Sequence, residues 1–260
     1  ARWAEAFAQD ERRKHEPARM HVVRQGNQDW AAKRAQPAEV ATVKLVLAVM
    51  TSTRHCDIRN AHRVTWMSHK RVCPLHRHLE YDCNVFPVFV FANVSVDNIE
   101  SANDSVVLKD VRAAAHINSG FTDWFSSSKT HDMWLEGQYK TPAWFRYASK
   151  EFSWATHIGK SDLDTYPYIT QIWKDLELAP KRELYYGYQG AAKVVLGELY
   201  LVTRDVAQCF VHAEANSYAK MEGDPWGHAA EDILFEKLVE RSCNVTLISV
   251  ERSKRWIHLR

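Results

Sequence analysis

A chain of 260 residues, 46% hydrophobic and 25% charged, has the length and apolar content for one large α/β domain. Its 34 basic and 32 acidic residues nearly cancel to a formal charge of +2, and no basic stripe offers itself to nucleic acid. The longest apolar run, residues 43–50, is far too short to cross a bilayer, so a membrane connection is expected only through an anchor outside this sequence.

Residues 1–40 are charged and helix-prone, with Trp3, Phe7 and Trp30 as few anchors and Pro17 and Pro37 as interruptions. They read as a stem or N-terminal arm, not a core element, ahead of a domain at 41–260. Residues 43–50, aliphatic and β-branched, read as a buried parallel strand. A loop at 51–57 leads to a helix over 59–68, then a strand at 85–91 and a short one within 103–111. Trp144, Phe145, Ala148 and Phe152 recur at helical spacing and predict a helix over 141–152. A strand at 154–159 is expected to end just before an acidic turn. Strands at 184–188 and 199–203 and a helix over 229–241 complete the pattern. Strands alternating with helices predict an open, mostly parallel, Rossmann-like sheet, with ligands at the carboxyl ends of its strands.

Five cysteines lack the tight spacing of a zinc site. In an oxidising compartment one or two disulfides and a leftover thiol are expected, with Cys73–Cys83 a local candidate and Cys209–Cys243 a long-range one, the alternative being reduced core thiols. The sequons at Asn93, Asn103 and Asn244 point towards a secretory route.

The stretch Lys160-Ser161-Asp162-Leu163-Asp164-Thr165-Tyr166 follows an apolar segment. Two carboxylates one residue apart on a turn can hold a divalent cation against a diphosphate, and oxygen ligands suit Mn²⁺ or Mg²⁺. An ordinary solvated turn is the alternative.

Four segments in order resemble the β1,3-glycosyltransferase family (β1,3-galactosyltransferases, β1,3-N-acetylglucosaminyltransferases and Fringe-like enzymes). Arg59-Asn60-Ala61-His62-Arg63-Val64-Thr65-Trp66 is similar to its R-x-A-I-R-x-T-W signature, and Tyr139-Lys140-Thr141 to the Lys-Thr opening the helix before the metal motif. Lys160 to Tyr166 is similar to K-x-D-D-D-x-[FY], with Leu163 at the middle position, and Glu231-Asp232-Ile233 to the late E-D-V. The family's glycine-rich strand survives only as Gly197-Glu198-Leu199-Tyr200. The resemblance implies a GT-A fold and a metal-dependent, inverting transfer of galactose or an N-acetylhexosamine from a UDP-sugar to a glycan hydroxyl. It also implies the Golgi or ER lumen, as the ectodomain of a type II membrane protein. The two departures, at Leu163 and in the glycine-rich strand, resemble those of divergent protozoan members.

By that resemblance Asp164 is the direct metal ligand, Asp162 holds the ribose or an outer-shell water, and His258 is a late histidine ligand or a surface histidine. Asp232 is the general base, or a plain acid at a helix start. Thr51, Ser52 and Arg54 lie where uridine sits. Arg59 and Arg63, one helical turn apart, meet the diphosphate or make structural salt bridges. Lys140 reaches the phosphates or caps a helix. On the acceptor side, Glu231 adjoins the base, and Trp226 forms a stacking platform or packs under its loop. A non-catalytic carbohydrate-binding or secretory scaffold that keeps the fold is the rival reading.

Overall fold

The computed structural model describes residues 2–13, 20–24, 42–95, 97, 99–109, 131–190, 194–217 and 231–259. In chain order its elements are α1 (Arg2–Arg13), β1 (Met20–Arg24), β2 (Leu45–Met50), α2 (Cys56–Val64), β3 (Val85–Ala92), β4 (Ser105–Leu108), α3 (His131–Glu151), β5 (His157–Asp162), β6 (Thr165–Pro167) and α4 (Ile169–Leu178). β7 (Leu184–Gln189), β8 (Val195–Thr203), α5 (Arg204–Ser217), α6 (Glu231–Ser242), β9 (Thr246–Val250) and β10 (Trp256–His258) follow. The chain is α/β, and its sheet of eight strands runs in the order β1-β9-β7-β8-β5-β2-β3-β4. Four of the pairings are parallel (β2 with β3 and β5, β3 with β4, β7 with β9), and β8 is antiparallel to both its neighbours.

Strand periodicity splits the core in two. Val46 and Ala48 of β2 face the side covered by Trp144 and Phe145 of α3, Phe210 of α5, and Phe235 and Leu238 of α6. Leu45, Leu47 and Val49 face the side covered by Trp66 and by Ile169, Ile172 and Leu176 of α4. A strand buried on both faces needs the near-continuous apolar run that residues 43–50 supply. Cys73 pairs with Cys83 and Cys209 with Cys243, leaving Cys56 free and exposed.

Three expectations are corrected. The first residues are not outside the core: Ala6 is buried, Trp3 packs on His62 and Tyr166, and β1 pairs antiparallel with β9 at the sheet edge. The helix expected from 141 begins ten residues earlier, at His131, with Pro142 inside it. The strand expected at 154–159 lies at His157–Asp162, so Asp162 ends a strand instead of opening a loop. Lys160 and Ser161 look like turn residues but are buried because β2 and β8 flank them. A buried ammonium is tolerated here because it has partners.

Candidate active site

At the carboxyl end of β5 the acidic turn is fixed by three distant segments, two through their backbone and one through a side chain. Asp162 is in register with Met50 of β2. The Leu163 carbonyl lies 2.7 Å from His62 Nε2, and the Asp164 carbonyl accepts the Leu259 amide at 2.6 Å. β10 pairs antiparallel with β6, setting His258 opposite Thr165 and its ring beside Asp164.

His62 is wholly buried, and the Trp66 indole N–H donates to its Nδ1 at 2.5 Å. Nδ1 therefore accepts, Nε2 carries the proton, and that N–H donates to Leu163. Burial pushes the imidazole pKa down to about 4, against the hydrogen bond to Leu163, so the ring is neutral at pH 7. His62 thus ties the first motif to the acidic turn, a contact that spacing along the chain does not reveal.

Asp164 and His258 sit 2.7 Å apart (Oδ2 to Nε2), the separation of two atoms sharing one proton, which a cation bound between them would have to replace. Behind the ring, His258 Nδ1 is 3.1 Å from Glu198 Oε1. The other Glu198 oxygen accepts from the Trp256 indole at 3.0 Å and pairs with Arg252 at 2.5 Å. A carboxylate on one imidazole nitrogen orients the ring, here turning the other nitrogen towards Asp164, as carboxylates behind ligating histidines do in metal sites generally. A carboxylate beside an imidazole fits a divalent transition metal such as Mn²⁺ better than Mg²⁺, which prefers oxygen ligands alone, if further positions are filled by diphosphate or water oxygens.

Asp162 turns elsewhere. Its Oδ1 is 2.6 Å from Lys160 Nζ, which also reaches Glu231 Oε2 at 3.1 Å and the Gly197 carbonyl at 2.6 Å. Burial alone would lower the Lys160 pKa, but Asp162 and Glu231 outweigh it and hold the amine protonated well above the usual range. Burial pushes the Glu231 carboxyl up, opposed by Lys160 and by the Tyr200 hydroxyl, which donates to Glu231 Oε1. Asp232, at the start of α6, accepts the Gly197 amide at 3.0 Å and the Ile233 amide at 2.9 Å. A Cβ at Gly197 would lie 3.3 Å from Lys160 Nζ and 3.5 Å from Asp232, so this position lies against both the lysine and the start of α6. Gly197-Glu198 joins the two halves: Asp232 hangs on the Gly197 amide and His258 on the Glu198 carboxylate. The acidic turn and the start of α6 therefore share one rim.

The cations expected near a nucleotide are mostly engaged. Arg59 has no exposed surface; its N–H groups go to Glu100 (Nε to Oε2 at 2.9 Å), to Thr51 Oγ1 and to the carbonyls of Ser52 and Thr53. Arg63 grips Asp104 at 2.7 and 3.2 Å and Asn60 at 2.8 Å. The salt-bridge alternative is the arrangement found for both. The Arg59 guanidinium, saturated by a carboxylate, a hydroxyl and carbonyls, shapes the loop after β2 in place of offering it free donors, and Arg63 commits its Nε, Nη1 and Nη2 to Asp104 and Asn60. Lys140 likewise donates to the Thr51 carbonyl at 2.9 Å from a buried position. Ser52 Oγ contacts His55 Nδ1 at 3.0 Å, and Arg54 is exposed with no partner among the described residues. Trp226 lies outside the described residues.

Among the described residues the one trio of ligand-type side chains closing to within 4.8 Å is Glu80, Asp82 and Cys83, whose sulfur is in a disulfide. Asp162, Asp164 and His258 do not converge as a set of three; Asp164 and His258 do as a pair. Sequence reasoning missed Glu198, Tyr200 and the role of His62. The remnant Gly197-Glu198-Leu199-Tyr200 was the available signal for the first two. No protein-family model matches this chain, and no curated protein matches it.

Proposed function

We propose that the chain is a metal-dependent, inverting glycosyltransferase that moves a hexose, galactose or an N-acetylhexosamine, from a UDP-sugar to a hydroxyl of a glycan, forming a β1,3 linkage. The observation that carries this reading is the Asp164–His258 pair, backed by Glu198 and linked through Gly197-Glu198 to Asp232 at the carboxyl end of β5. Asp164 and His258 are the residues that would hold Mn²⁺ or Mg²⁺. A divalent cation so bound supplies positive charge to the diphosphate leaving group. Asp162, held by Lys160 and partly exposed, faces the ribose or an outer-shell water. Asp232 takes the acceptor proton with a lone pair not used by the Gly197 and Ile233 amides. Glu231 is locked to Lys160 and Tyr200, and its part is to brace the acceptor side. Thr51, Ser52 and the exposed Arg54 border the nucleotide. The two disulfides suit the Golgi or ER lumen, with an anchor outside this sequence. No helix among the described residues is long and apolar enough to cross a membrane.

The rival is a scaffold that keeps the fold without catalysis. It is favoured by the backbone amides that occupy both Asp232 oxygens. Release of UDP from UDP-galactose, UDP-N-acetylglucosamine and UDP-N-acetylgalactosamine, with Mn²⁺ and glycan acceptors or water alone, separates the readings. The transferase reading expects acceptor-dependent release, abolished in Asp164→Ala and Asp232→Asn. Mn²⁺-dependent UDP binding with no transfer to any acceptor supports the scaffold. Release into water alone indicates a hydrolase.

A further inference from the structure

The opposite end of the sheet carries a pocket that the proposed transferase chemistry does not use. Thr42 and Val43, just before β2, and Asn84, just before β3, form its floor, so it lies about 20 Å from the acidic turn, roughly one six-residue strand away. Its volume is about 580 Å³, within the range of small-molecule sites. The Cys73–Cys83 disulfide anchors the loop that brings Tyr81 and Asp82 to one wall, and α4 brings Trp173 and Glu177 to another.

Arg71 dominates the site. Its guanidinium lies 3.3 Å from the centroid of the Trp173 ring, and Nη1 donates to Asn84 Oδ1 at 2.8 Å. Asn84 is itself held by Nδ2 donating to the Val43 carbonyl at 3.1 Å. Stacking and one hydrogen bond fix the plane, while the Nε and Nη2 edge has no partner among the described residues. That edge is the fork that grips a carboxylate or sulfate with two parallel N–H bonds, and fixing it beforehand removes most of its ordering cost. Lys70 is exposed on the same pocket with no partner among the described residues. Lys181 donates to the Glu177 carbonyl at 3.0 Å and also to that of Leu176. Lys70, Arg71 and Lys181 against Asp82 and Glu177 leave one positive charge over, matching a single negative charge on a ligand.

The cavity is much larger than a bare oxyanion. Its carboxylates can accept from hydroxyl groups, and Tyr81, 85% exposed, offers a ring face at the rim. We infer that this pocket binds an acidic sugar, a pyranose carrying one carboxylate or sulfate, with the Arg71 fork on the oxyanion and Asp82, Glu177 and Tyr81 on the ring. The inference is independent of the transferase reading, since no residue is shared between the two sites.

Isothermal titration of the full chain with glucuronic acid, glucose 6-sulfate, glucose and inorganic sulfate tests it. Both acidic sugars bind with one-to-one stoichiometry and compete with each other, and glucose gives no saturable heat. Arg71→Gln and Arg71→Lys each weaken binding by roughly tenfold or more, because a charge-assisted pair is lost in one and the fork in the other. Lys70→Ala, at an exposed position, weakens it less and leaves the melting temperature unchanged. The inference is overturned if neither acidic sugar binds saturably, or if inorganic sulfate binds as tightly as glucose 6-sulfate. It also fails if glucose binds equally well, or if Arg71→Gln binds as the natural chain does. Should Arg71→Gln fail to fold, undiminished binding by Lys70→Ala overturns it instead.

Discussion

Replacing His62 with phenylalanine keeps a ring of similar size against Trp3, Trp66 and Phe89 but removes both nitrogens. The Trp66 indole N–H, fully buried, loses its acceptor, and the Leu163 carbonyl loses its donor. A buried donor without a partner costs about 1–3 kcal/mol, and the loss at the partly exposed turn about 1 kcal/mol more. The sum of about 2–4 kcal/mol corresponds to a fall in melting temperature of roughly 4–8 °C for a chain of this size. A second signature is the response to acid. The folded-state pKa of His62, about 4, lies below the ordinary 6.5, so between those values the unfolded chain binds a proton that the native state refuses. The stability that neutral His62 contributes is complete above pH 6.5 and lost as pH falls to 4, about 3 kcal/mol in all. His62→Phe lacks that term, so its stability falls less steeply over the same window. Thermal melts at pH 7.5, 6, 5 and 4 for both chains measure both effects. A variant that melts within 1 °C of the natural chain at pH 7.5, with parallel decline in acid, refutes the assigned tautomer and the claim that His62 holds the turn.

Glu198→Gln leaves the fold standing but loosens the orientation of His258, and Mn²⁺-dependent UDP binding, read by calorimetry, should weaken about 10–100-fold. Unchanged Mn²⁺ dependence would remove Glu198 from the site. Arg255→Met strands the buried Asp175 carboxylate, which Arg255 and the Tyr186 hydroxyl now satisfy, and should cost about 3–5 kcal/mol in denaturant unfolding. A loss under 1 kcal/mol contradicts the buried pair. Cys209→Ser with Cys243→Ser opens a loop of 34 residues between α5 and the end of α6, and about 3–4 kcal/mol of stability should go with it. Equal melting with and without the bridge would show that the helices dock equally well uncrosslinked.

Much of the frame is written locally. The run at 43–50, the aromatic spacing of 144–152 and the acid-led start of α6 each specify an element, because burial needs a set period and helix starts favour acids. The pairing of Lys160 with carboxylates is not written locally. Hydropathy reads residues 160–162 as turn, and only the flanking of β5 by β2 and β8 puts them in a strand. The same holds for the arginines: one helical face carries Arg59 and Arg63, but whether it meets a phosphate or an acid depends on where Glu100 and Asp104 lie, 41 residues on in each case.

The amino-acid order thus fixes which side chains can do chemistry: the two acids of the turn, the Glu231-Asp232 pair and a histidine near the end of the chain. Strand pairing across the molecule decides which of them meet. β10 against β6 delivers His258 to Asp164, β8 against β5 delivers Glu198 and Gly197, and a buried imidazole 101 residues away grips the turn. Hydrogen bonds act over about 3 Å, so partners separated by tens of residues become neighbours only once the sheet has closed around them.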